Sequence, residues 1–81
     1  MKKIEVKERL EKLAARIIAL DNENIECFAR ALKEIAGALD NPMAGKYLNF
    51  VHDQWWWYRE SNYNKETDEI NDEMLEIVHL L

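Results

Sequence analysis

The chain has 81 residues, 48% hydrophobic and 33% charged, and carries a net charge of −5 from 11 basic and 16 acidic side chains. This composition suits one folded domain rather than a disordered segment, and its acidity is a poor match for nucleic acid, whose binding depends on neutralising phosphates. Two glycines and one proline are too few for a sandwich of many short strands, and no stretch approaches the roughly 20 apolar residues of a membrane span.

In chain order, Val6, Leu10, Leu13, Ile17 and Leu20 are spaced by four, three, four and three residues, which predicts a helix over about 2–20. Glu5–Arg9 and Glu8–Lys12 stand at i,i+4 with the acid first, the favourable order, and are expected to pair on its wet face. Asp21-Asn22-Glu23-Asn24 reads as a turn, with a continuous helix as the alternative. Ile25, Phe28, Ala29, Leu32, Ile35, Ala36 and Leu39 give the clearest amphipathic pattern, a second helix over about 23–40. Asp40-Asn41-Pro42 ends it and starts the next, with Asn41 as N-cap and Pro42 in the first helical position. The third helix, about 42–60, has Ala44, Tyr47, Leu48, Val51, Trp55 and Tyr58 as its expected core stripe. After Ser61-Asn62-Tyr63-Asn64, Thr67 is the expected cap of a fourth helix, about 66–81, with Ile70, Met74, Ile77, Val78 and Leu81 inward. The fold class is therefore all-α: one domain, a small bundle of four amphipathic helices, or three with an arm given to a partner chain.

Gln54-Trp55-Trp56-Trp57-Tyr58-Arg59-Glu60 sets a geometric problem. Successive helical residues sit about 100° apart, so four consecutive aromatics cannot share one core. Trp55 is expected inside. Met43, Phe50 and Trp57 form a second apolar strip, which neighbouring helices of a thin bundle could cover. Trp56 falls nearly opposite the core, beside Asn49, Asp53 and Glu60. Aromatic anchors in a polar rim are typical of binding surfaces, so Trp56, Trp57, Phe50, Asp53, Arg59, Glu60 and Tyr63 are the candidate partner-binding residues. Off-stripe Ile4 and Ile18 on the first helix, and a ridge of small residues on the second, Cys27, Ala31 and Ala38, are the candidate interface of a homodimer.

Charge is uneven: residues 1–20 hold six basic and three acidic groups, whereas residues 61–81 hold one basic and six acidic. The two ends could pair within the chain or across a dimer. The acids Glu66, Asp68, Glu69, Asp72, Glu73 and Glu76 form a candidate acidic surface.

Few residues could support catalysis. Glu76-Ile77-Val78-His79 is a Glu-x-x-His unit of the kind used in helical di-iron sites, but a site needs two such units and further glutamates. His52-Asp53 is a lone pair, Ser61 is the only serine, and Cys27 lies near Glu23 and Glu26, which disfavour a thiolate. Two glycines make neither a P-loop nor a dinucleotide turn. Neither an enzyme, a metal site nor a cofactor is expected. Nucleic acid is disfavoured because Asp53 and Glu60 offset Lys46 and Arg59 on the aromatic helix.

The expected function is a non-catalytic protein-binding module that self-associates and presents the aromatic patch to a protein partner. Two alternatives stand beside it: a phage-type inhibitor whose acidic last helix mimics nucleic acid and blocks a basic channel, and a purely structural homo-oligomer. A helical pocket for a small molecule, lined by Trp55, Tyr58 and Tyr47, lacks converging polar groups. A single cysteine, no apolar run behind MKKIEVKERLEK and no membrane span suggest a reducing cytoplasm, or a host's cytoplasm for a viral protein.

Overall fold

Each apolar stripe needs a partner surface to cover it, and four such stripes cover one another. The computed structural model describes residues 3–81 as α1 (Lys3–Ala19), a short 3-10 turn (Glu23–Ile25) running into α2 (Glu26–Ala36), α3 (Ala44–Ser61) and α4 (Lys65–Leu80). No strand occurs among these residues, and the architecture is a small all-α bundle of four helices. Each helix packs on its sequence neighbour, and α4 closes the ring against α1. Lys3, at the start of α1, pairs with Asp40 beyond the end of α2, and Gly45, at the start of α3, lies against Leu81 beyond the end of α4. Consecutive helices are thus antiparallel.

The core is built from Val6, Leu10, Leu13, Ala14 and Ile17 of α1, Ala29, Leu32, Ile35 and Ala36 of α2, Leu48 and Trp55 of α3, and Ile70, Met74 and Ile77 of α4. Burying each large aliphatic side chain contributes about 1.5–3 kcal/mol relative to exposure. Trp55 is the largest fully enclosed side chain. Its ring meets Phe28 edge-on at 5.1 Å and Tyr58 at 5.1 Å, and its indole N–H donates to the Thr67 carbonyl at 3.1 Å. That bond satisfies the one polar atom of a buried tryptophan and ties α3 to the first turn of α4.

Several local expectations are displaced. Residues 21–24 do break the chain: α1 ends at Ala19, and Asp21 adopts φ 52°, a left-handed conformation that Asp tolerates better than most side chains. The α2 helix stops at Ala36, short of residue 40, with Gly37 as its C-cap. The residues after it form tight turns, Ala38 N–H donating to Ile35 and Asn41 N–H to Ala38. The carbonyls of the last turn are met this way instead of by further helix. The start of α3 lies two residues beyond Pro42, and Met43, not Asn41, is its N-cap; the Asn41 side chain accepts from Met43 N–H at 2.8 Å, within the turn. Likewise Asn64, not Thr67, caps α4. The Asn64 Oδ1 accepts from Thr67 N–H at 2.9 Å, and the Thr67 hydroxyl accepts from Asn64 N–H at 3.0 Å, a reciprocal capping box that satisfies two backbone donors.

The α3 helix is also rotated relative to the expected stripe. Ala44, Leu48, His52 and Trp55 are buried, Val51 and Tyr58 are half-buried, and Tyr47 is exposed. On α4, Leu81 is exposed, while Thr67 and Asn71 are buried in addition to the aliphatic stripe. None of the helices of the described residues is long and apolar enough to cross a membrane.

Candidate functional site

The four consecutive aromatics have four different fates. Trp55 is enclosed and Tyr58 lies half-buried over it, its hydroxyl accepting from the Asn22 side chain at 3.3 Å. Trp56 retains 37% of its surface, and Trp57 retains 67%. The two exposed indoles meet edge-on at 5.0 Å. Trp57 is therefore not covered by neighbouring helices, and neither are Met43, Phe50 or Tyr47.

Arg59 explains why Trp56 is less open than its place on the helix implies. The Arg59 guanidinium lies 5.8 Å from the Trp56 ring and 5.5 Å from the Tyr63 ring. It donates to Asp68 at 3.0 Å and to Glu60 at 2.9 Å. Its side chain is mostly buried, and its Nε has no partner among the described residues. Arg59, Glu60 and Tyr63, expected as a partner-facing rim, are thus tied to one another around Trp56, and the guanidinium is already occupied. Trp56 forms the edge of the aromatic face, and Trp57 lies on the face itself.

The exposed face of α3 has a definite order. Met43, Tyr47, Phe50, Gln54, Trp57 and Ser61 follow at intervals of four and three, and all are exposed. No charged residue interrupts this stripe. Lys46, Asp53 and Glu60, seven residues apart, border its outer edge. The inner edge meets α2 in a groove of about 310 Å3 lined by Ala31, Ile35, Ala38, Tyr47, Phe50 and Val51, with Glu34 and Asn41 at its margin. The α2 ridge of small residues thus divides: Ala31 and Ala38 belong to this groove, and Cys27 is an exposed free thiol. Ile4 lines a separate groove with Lys3, Lys7 and Asp40, so it does not join the α3 face; Ile18 is also exposed. Trp55 is fully enclosed, with Phe28 and Tyr58 packed against its ring.

The acids of α4 face the arginines of α1. Arg16 holds Glu66 at 2.9 Å and Glu69 at 3.1 Å, and Arg9 holds Glu73 at 2.7 Å and Glu76 at 3.2 Å. Asp68 is taken by Arg59, which leaves only Asp72 of the six acids without an ion pair among the described residues. Arg9 is held firmly protonated, chiefly by its hydrogen bond to Glu73. At Arg16 partial burial works against the charge, and the bonds to Glu66 and Glu69 outweigh it. The expected Glu5–Arg9 pair is replaced, because two carboxylates on the adjacent helix offer Arg9 a less exposed site.

His52 is a buried group that the α3 stripe did not anticipate. It is 8% exposed, its Nε2 has no partner among the described residues, and its Nδ1 lies 3.9 Å from Asp53. Burial lowers its pKa, and the charges of Arg59 and His79 act in the same direction against Asp53. Its spacing could have revealed it: Ala44, Leu48, His52, Trp55 and Arg59 recur every three or four residues. Among the described residues, no group of three or more His, Cys, Asp or Glu is placed to hold a metal ion.

No family model, curated protein or solved structure matches this chain.

Proposed function

We propose that this chain is a non-catalytic protein-binding module whose contact surface is the outer face of α3, beside the α2 groove. The observation that carries the reading is the uncharged stripe from Met43 to Ser61, with Tyr47, Phe50 and Trp57 all exposed. Contiguous large apolar side chains are costly to leave in water, and a patch of this kind rimmed by polar groups marks a surface that another protein covers. Lys46, Asp53 and Glu60 supply the rim on one side, and Glu34 and Asn41 on the other. An inhibitor that mimics nucleic acid with α4 has less support, since Arg9, Arg16 and Arg59 already engage most of its carboxylates.

The test uses immobilised chain to retain protein from a lysate of its native cell, including further copies of itself. Phe50→Ala and Trp57→Ala should each weaken retention by about 30-fold, the effect of losing a central aromatic anchor worth about 2 kcal/mol. Their helical circular dichroism should match the wild type, since both side chains are exposed. Equal retention by wild type and both variants would remove this face as the contact surface.

A further inference from the structure

We infer that the occupant of this face is a second copy of the chain, with the two α3 helices antiparallel about a two-fold axis near Phe50. This rests on the reading of the α3 face as a contact surface and names its partner. A two-fold interface uses one patch twice, so the patch must complement itself. The α3 face meets that requirement in shape and in charge.

In shape, the intervals of four and three from Met43 to Ser61 are those of a helix seam that packs against another helix. The seam carries projecting rings at Tyr47, Phe50 and Trp57, and the adjacent α2 groove is floored by small residues, Ala31 and Ala38. One surface thus holds both projections and a recess. In an antiparallel pair the partner's Tyr47 reaches the Ala31/Ala38 recess, and the reciprocal contact forms by symmetry.

Charge selects the register. A two-fold axis brings each edge of the helix against the same edge of its copy, so Lys46, Asp53 and Glu60 face their own counterparts. Neither Lys46 nor Asp53 pairs with an oppositely charged Lys, Arg, Asp or Glu among the described residues. With Tyr47 packed on the partner's Phe50, Lys46 faces the partner's Asp53 and Asp53 faces the partner's Lys46. Both contacts are attractive, and Gln54 lies opposite the partner's Met43 on each side of the axis. Sliding one heptad would match Lys46 with the partner's Glu60 but set Asp53 against the partner's Asp53 in the centre. The first register has two attractive contacts and no repulsive one, so it is the one favoured. A parallel pair would instead set this edge against the partner's Ala44, the partner's Val51 and the partner's Tyr58, which offer neither charge a partner.

The experiment is sedimentation equilibrium of the full chain across a dilution series, with charge exchange at the two positions. Wild type should dimerise. Lys46→Glu and Asp53→Lys should each raise the dimer Kd about tenfold, because each breaks two symmetry-related surface pairs. The double variant Lys46→Glu/Asp53→Lys should regain wild-type affinity. An equimolar mixture of the two single variants should also associate more tightly than either alone, since each then meets an opposite charge across the axis. Wild-type chain that remains monomeric at hundreds of micromolar overturns the inference, as does a dimer whose Kd ignores the exchange. Neither result touches the contact face itself, which Phe50→Ala and Trp57→Ala examine separately in the lysate experiment.

Discussion

His52 places an ionisable ring on the buried side of α3. Burial holds its folded-state pKa below the usual histidine value, so between that value and about 6.5 the unfolded chain binds a proton that the folded chain refuses. Stability contributed by neutral His52 is therefore present at pH 7 and lost as the pH falls through this window. The urea midpoint should drop between pH 7 and pH 5, and His52→Leu should flatten that step while removing an unpartnered buried nitrogen. An unchanged pH slope in the variant would mean that another group drives it. Arg59 tolerates partial burial because Asp68, Glu60 and two aromatic faces surround it. Both residues sit on the inward side of α3, away from Tyr47, Phe50 and Trp57.

At the level of elements, ends are decided by backbone accounting more than by propensity. The Asn64/Thr67 box satisfies two donors at once, which a cap at Thr67 would not. At the end of α2, Gly37 has an ordinary right-handed φ of −82°, so no left-handed conformation requires glycine there. A Cβ added to it would meet only the carbonyl oxygens of Lys33 and Glu34, at 3.7 Å, an ordinary contact. Gly37→Ala should therefore stabilise the protein by about 0.4–1 kcal/mol, mainly by restricting the unfolded chain, with a matching rise in the denaturant midpoint. A loss of stability would show that glycine's freedom is needed in the α2–α3 turn.

Across the whole molecule, the charge asymmetry of the sequence becomes a pairing of α1 with α4. The four contacts of Arg9 and Arg16 are partly exposed, so each is discounted for solvent screening. Arg9→Gln combined with Arg16→Gln should cost about 1–2 kcal/mol at low salt and much less in 1 M salt, read from thermal unfolding in both conditions. An undiminished penalty at high salt would assign the loss to the packing of the arginine stems instead. The same pairing leaves Asp72 as the one acid of α4 without an ion pair among the described residues.

Periodicity alone determined that this chain forms four amphipathic helices, because an apolar residue every three or four positions has only one economical burial. It also determined that the Trp55–Tyr58 run exceeds what one core can take, since neighbours on a helix point in different directions. Only the tertiary structure decided which ring is enclosed. The apolar arc of α3 is so wide that several rotations would bury similar area, and the choice fell to contacts with other helices: Phe28 against Trp55, Thr67 under the indole, Asp68 on Arg59. The partners of Arg9 and Arg16, fifty or more positions distant in the chain, were equally beyond local reading. Such contacts depend on how helices meet in space, and no spacing along one helix encodes that.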